Sequence, residues 1–176
     1  ASGAGATLVD SGYWTHQSQT LELARRALGE VRLEALLNTH LHSDHCGGNE
    51  ALVQAFGCRV SVPSGEYRKV QDWDESVLTY RPTGQHCPRF TCDGVLAPGD
   101  VIFLAGRSWS VIASPGHDPE SIMLYEPDLR LLISADALWE DGFGVVFPEL
   151  EGQDAFSDVR STLDLIASLP VEWVIP

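Results

Sequence analysis

Apolar and polar positions change period repeatedly along the chain, and each change marks an element. The run Ala6-Thr-Leu-Val9, halted by Asp10-Ser-Gly12, reads as a short buried strand ending in a turn. A helix follows in the stretch from Thr20 to Val31, led in by Thr15 to Ser18, because Leu21, Leu23, Ala24, Ala27 and Leu28 recur at helical spacing. "RLEALLNTH" returns to a strand and delivers His40 at its end, "GNEALVQAF" is a helix closed by Gly57, and "CRVSVP" is a third strand. Strand, helix, strand, helix, strand is the alternation of an α/β layer protein.

Beyond Ser64 the pattern weakens, with "GEYRKVQDWDES" helical and "RPTGQHCPRFTC" irregular. "GVLAPGDVIFLAGRSWSVIASPGH" holds three short apolar stretches cut by Pro-Gly and Ala-Gly, the signature of antiparallel strands. "SIMLYEPDLRLLISADAL" adds two strands around a Pro-Asp turn. "AFSDVRSTLDLIASL" is an amphipathic helix with Asp154 as its N-cap, and "VEWVIP" is a last strand. With no repeat, low-complexity tract or linker, the 176 residues read as one domain, residues 1–176.

Composition narrows the partners. Eleven Lys and Arg against 25 Asp and Glu give a net charge of −14, the wrong sign for a surface that follows a phosphate backbone, so nucleic acid is not the expected partner. No apolar run approaches the roughly 20 residues that span a bilayer, and the first residues lack the basic and apolar regions of a signal peptide. The expectation is a cytoplasmic protein acting on a small molecule without a membrane. Cys46, Cys58, Cys87 and Cys92 contain no C-x-x-C spacing, which favours reduced thiols.

The chemistry concentrates in "NTHLHSDHCGGNE", where His40, His42, Asp44 and His45 crowd a few residues after a strand. His117 follows "SVIASPG" and Asp136 follows "LLISA", so these ligand types also fall in loops after strands, where rigid sheets let loops converge. Imidazole nitrogens and carboxylate oxygens suit Zn²⁺, with Fe²⁺ or Mn²⁺ as competitors. His40 and His42 alternate along an extended segment and point together, His117 supplies a third nitrogen, Asp44 and His45 turn toward a neighbouring ion, and Asp136 has two oxygens with which to bridge.

H-x-H-x-D-H after a strand and before Gly-Gly, followed in order by "SPGHDPES" and "LLISADAL" and preceded by "TLVDSG", resembles the metallo-β-lactamase-fold hydrolase superfamily over nearly the whole chain. The resemblance implies a four-layer αββα sandwich, in the α/β (α+β) class, carrying two Zn²⁺. His40, His42 and His117 would hold the first ion, Asp44 and His45 the second, and Asp136 both. The family's last histidine, expected after a terminal strand, would fall beyond Pro176, and its opening strands would precede "TLVDSG", so the sequence is expected to be an incomplete view at both ends.

The implied reaction is metal-dependent hydrolysis by a metal-bridging hydroxide, oriented by Asp44 as the catalytic carboxylate, on an ester, thioester or lactone of a small molecule. The glyoxalase II-like and lactonase-like branches share the full motif set. An iron-dependent oxygenase resembling persulfide dioxygenases, using His40, His117 and Asp136, is the alternative. A β-lactamase is disfavoured by the aspartate at position 136, a nuclease by the acidic surface, and a non-catalytic module by the intact ligands.

Asp10, Thr39 and Ser134 are candidates to orient ligands from behind. Cys46 reads as a small filler, His16 and His86 as surface or loop residues, and Glu140 and Glu149 as solvated. Trp139, Phe143 and Phe147 are candidates to wall a substrate site, and Tyr67, Trp73 and Tyr80 to cover it.

Overall fold

The computed structural model describes residues 5–176, and its internal contacts divide the chain into two units, Ala1–Leu96 and Ala97–Pro176. In the first unit, β1 (Ala6–Val9) is followed by α1 (Gln17–Leu28), β2 (Leu33–Leu37), α2 (Ser43–Cys46), α3 (Asn49–Phe56), β3 (Arg59–Pro63), α4 (Tyr67–Asp72), α5 (Tyr80–Thr83) and β4 (Gly94–Leu96). The strands form one parallel sheet in the order β1-β2-β3-β4. Leu33, Leu36, Val60 and Val62 are buried in it, the near-continuous apolar content of a covered parallel sheet.

α1 explains its own amphipathic pattern. Leu21, Ala24 and Leu28 pack on the core while Leu23 and Ala27 face outward, so the apolar stripe is narrower than its five apolar positions suggest. α3 ends as expected at Gly57, whose φ of +64° is left-handed and whose N–H donates to the Val53 carbonyl. β4 corrects one expectation: "GVL" pairs in parallel with β3 rather than joining the antiparallel strands that follow it. Tyr80 is 2% exposed in the same core, with Tyr67 and Trp73 packed against it, so these aromatics fill the interior instead of covering a cleft.

The four cysteines are free and buried. Cys46 is the expected filler, with its Sγ 3.2 Å from the Tyr80 hydroxyl and 3.7 Å from Cys87 Sγ. Burial pushes the Cys46 thiol and the Tyr80 phenol well above their ordinary pKa values, which keeps both protonated, and the phenol donates to the Leu41 carbonyl at 2.8 Å.

The second unit contains β5 (Val101–Leu104), β6 (Arg107–Ala113), β7 (Ile122–Glu126), β8 (Leu131–Ile133), α6 (Phe147–Leu150), α7 (Phe156–Ser168) and β9 (Trp173–Ile175). Its sheet runs β5-β6-β7-β8-β9, antiparallel until β9 joins β8 in parallel after the crossover through α7. Ala105 and Gly106, both at positive φ, close the β5–β6 hairpin, the two-residue turn whose twist matches its strands. Met123, Tyr125 and Leu132 pack with Ile166 of α7. The N-cap of α7 is Ala155 rather than Asp154. The free N–H groups of Ala155 and Phe156 are taken by Glu149 Oε1, at 2.6 and 3.0 Å, so Glu149 is a capping residue and not merely solvated.

The parallel sheet makes a direct stability test. Leu36→Ala should lower unfolding stability by about 2–5 kcal/mol, read as a drop in the urea midpoint, whereas Leu23→Ala, on the outer face of α1, should change it by no more than about 0.5 kcal/mol.

Candidate metal centre

Topology decides which side chains meet within each unit. β1 and β2 are parallel, so their C-terminal ends share one edge of the first sheet, bringing Asp10 beside the segment from Asn38 to His45. Asp10 has a left-handed φ of +55°, a conformation Asp tolerates better than most residues, and its carboxylate turns into the loop after β2. Oδ1 accepts from the Thr39 N–H at 2.9 Å, and Oδ2 accepts from the Thr39 hydroxyl at 2.7 Å and from His45 Nδ1 at 2.8 Å.

These bonds assign protons. A carboxylate oxygen only accepts, so His45 carries its hydrogen on Nδ1 and its lone pair on Nε2. The Thr39 hydroxyl spends its hydrogen on Asp10, so at 3.1 Å it accepts from Nδ1 of His40, whose Nε2 also bears a lone pair. His40 is fully buried, and its Nε2 lies 3.0 Å from His42 Nδ1. His45 Nε2 lies 4.0 Å from Asp44 Oδ2, and the Asp44 side chain is 62% exposed.

The turn carrying these residues is drawn against the β1 loop. A Cβ on Gly47 would come 2.5 Å from the Trp14 nitrogen, and one on Gly48 would come 2.5 Å from the Ser11 carbonyl oxygen, so only glycine permits the approach. A buried polar network then pins the turn. The Ser11 hydroxyl donates to Asn49 Oδ1 at 2.7 Å, Asn49 Nδ2 donates to Asn38 Oδ1 at 2.7 Å, and the Ser11 N–H donates to the His45 carbonyl at 2.7 Å. Ser11, Asn38 and Asn49 were not among the sequence candidates, since their pairing spans up to 38 residues and leaves no local pattern.

In the second unit β6 and β8 both run antiparallel to β7, so their C-terminal ends also share an edge. His117 follows one and Asp136 the other, and Nε2 of His117 lies 2.9 Å from Asp136 Oδ2. Nδ1 of His117 lies 2.6 Å from the Val145 carbonyl, an acceptor only, so Nδ1 carries a hydrogen and Nε2 is the nitrogen turned to Asp136. Phe147 meets the His117 ring edge-on at 5.4 Å between centroids. Trp139 and Phe143 are exposed beside this pair. Ser134 does not reach a ligand-type residue: its hydroxyl donates to the Leu138 carbonyl at 2.7 Å and shapes the loop instead. His16, His86 and Glu140 are exposed, as the sequence suggests.

The donor atoms suit a divalent cation. Bonds of about 2.0–2.1 Å in a tetrahedral zinc sphere put neighbouring donors roughly 3.3 Å apart. The His40–His42 and His117–Asp136 pairs, at 3.0 and 2.9 Å, need only a small spread.

The chain matches the profile of the Metallo-beta-lactamase superfamily over residues 1–176. It is 34% identical over 141 residues to a hydroxyacylglutathione hydrolase of Rhodobacter capsulatus, covering 80% of this chain and 46% of that protein. It is 33% identical over 153 residues to one of Dechloromonas aromatica, covering 87% and 47%. The chain thus spans about half the length of these curated relatives. A β-lactamase domain protein from Burkholderia ambifaria has the same fold, with a TM-score of 0.76 at 22% identity over 97% of this chain and 57% of that one. A protein solved in a di-iron-bound form gives 0.71 at 27% identity, covering 94% and 78%. A mixed α/β chain with two sheets, matched by that profile from end to end and by those relatives in sequence and fold, belongs to the metallo-β-lactamase superfamily.

Proposed function

We propose that this chain is a metal-dependent hydrolase of small-molecule thioesters, esters or lactones, with residues 1–176 acting as one domain. The observation that carries the proposal is the common state of three imidazoles. His40, His45 and His117 each have Nδ1–H held by an internal acceptor, which leaves Nε2 as the nitrogen each can offer to a cation. In this proposal His40, His42 and His117 would hold one divalent ion and Asp44 and His45 a second, with Asp136 available to both. Zinc suits the nitrogen and oxygen donors, and the di-iron form of a structural relative supports iron as its competitor.

Bound divalent ions would supply Lewis acidity, lowering the pKa of water to about 7 and polarising a carbonyl. The chain's residues prepare that chemistry. Asp10 and Thr39 keep the Nδ1 protons of His45 and His40 in place, so those rings cannot turn or change tautomer without breaking a charge-assisted bond or its relay. The Val145 carbonyl does the same for His117. Asp44, whose carboxylate is exposed, would orient the nucleophilic hydroxide as well as bind metal. The hydroxyacylglutathione hydrolases among the relatives support a thioester as substrate, with hydroxyacyl-glutathione the first compound to try.

Three outcomes follow from this reading. In a panel of purified substrates, a thioester or lactone should be cleaved far faster than a penicillin or single-stranded RNA, and a chelator should abolish the rate. Oxygen uptake on glutathione persulfide without any hydrolysis would favour the oxygenase instead. His117→Ala should reduce hydrolysis by at least about 100-fold while far-UV circular dichroism stays unchanged, and near-normal turnover would remove His117 from the ligand set. Asp10→Ala should mix the tautomers of His45 and His40 in the metal-free protein, seen as loss of their Nδ1–H signals in imidazole nitrogen NMR. Retention of both signals would show that Asp10 does not set the protons.

A further inference from the structure

The two oxygens of Asp136 are engaged differently. Oδ2 faces His117 Nε2 at 2.9 Å, whereas Oδ1 accepts a hydrogen bond from the indole Nε1 of Trp139 at 3.1 Å. Trp139 is 42% exposed, so burial of its apolar surface does not account for its position. The backbone does. The Trp139 N–H donates to the Gly142 carbonyl at 2.7 Å in an isolated antiparallel bridge, the Ser134 hydroxyl holds the Leu138 carbonyl at 2.7 Å, and the Gly144 N–H returns to the Asp136 carbonyl at 2.7 Å. The loop from Ser134 to Gly144 is therefore tied to itself along its length. Gly142 supplies a φ of +126°, and a Cβ on Gly144 would lie 2.5 Å from His117 Nδ1. Such a loop aims one N–H at one oxygen.

An indole N–H is a donor only and can neither bind a cation nor take up a proton. Its polar role at Asp136 is confined to holding a lone pair of Oδ1. We propose that Trp139 is a positioning residue that commits Asp136 to cation binding through Oδ2 alone, so that the carboxylate would serve both ions through that one oxygen rather than through two. With Oδ1 held, the carboxylate cannot rotate to offer both oxygens to one ion, and Oδ2 stays beside His117 Nε2. The inference rests on the divalent-metal reading of the site.

The test is zinc affinity, measured on the full chain after metal removal by competition with a chromophoric chelator. Trp139→Phe keeps an aromatic ring and deletes the donor, and Trp139→Gln deletes the ring and keeps a donor. Zinc should bind about 10–100-fold more weakly to Trp139→Phe, the usual cost of losing a partner behind a metal ligand, while Trp139→Gln stays close to the parent. The urea midpoints of the metal-free variants should match the parent's, because the ring is exposed. Unchanged zinc affinity in Trp139→Phe overturns the inference and leaves the metal reading standing. Equal weakening in both variants also overturns it, by assigning the effect to the ring. A parent chain that binds no zinc overturns the inference and the metal reading together.

Discussion

The carboxylate of Asp10 is the constraint on which the ligand-type cluster of the first unit depends. It receives the Thr39 backbone N–H, the Thr39 hydroxyl and His45 Nδ1, so one side chain at the end of β1 fixes the course of the chain after β2 and the protonation of two imidazoles. A charge-assisted bond is roughly twice as strong as a neutral one, and here the charge sits where two strand ends already converge. The left-handed backbone at Asp10 is the local cost of that placement. Ser11, Asn38 and Asn49 reinforce it from below, in a network where losing one partner leaves a buried polar group unpaired at about 1–3 kcal/mol.

The second unit reaches the same end by a different device. Behind His117 a backbone carbonyl, that of Val145, holds the Nδ1 proton. That carbonyl belongs to the crossover between β8 and α7, in which Gly144 allows the close approach to His117 and Glu149 caps α7. The proton placement of His117 therefore depends on loop geometry, and that of His40 and His45 on charge. A substitution in the crossover, remote in sequence from His117, can release that imidazole.

What was legible in the sequence followed local rules. The parallel alternation, the Gly57 stop and the Ala105-Gly106 hairpin all came from short-range pattern, and the ligand-type residues announced themselves by falling after strands. Asp10 and Thr39 were legible as supporting residues because they sit at strand ends. What escaped depends on contacts distant in sequence. The three apolar residues of β4 looked like their neighbours in the antiparallel run, and pairing with β3 decided their sheet. Glu149 won the cap of α7 from Asp154 because the turn at α6 carries its carboxylate back to Ala155. Tyr80, in an irregular stretch, reads as a candidate to cover the substrate site, yet its hydroxyl has a buried partner in the Leu41 carbonyl, which lets the whole ring enter the core.

The central claim is that the imidazoles are set in advance to offer particular nitrogens to a cation. Imidazole nitrogen NMR during a zinc titration of the metal-free chain tests it most directly. The account predicts that the Nε2 resonances of His40, His45 and His117 move on zinc addition while their Nδ1–H signals persist, and that His16 and His86 are unaffected. Zinc that leaves those Nε2 resonances in place, or that binds by displacing the Nδ1 protons, would contradict it.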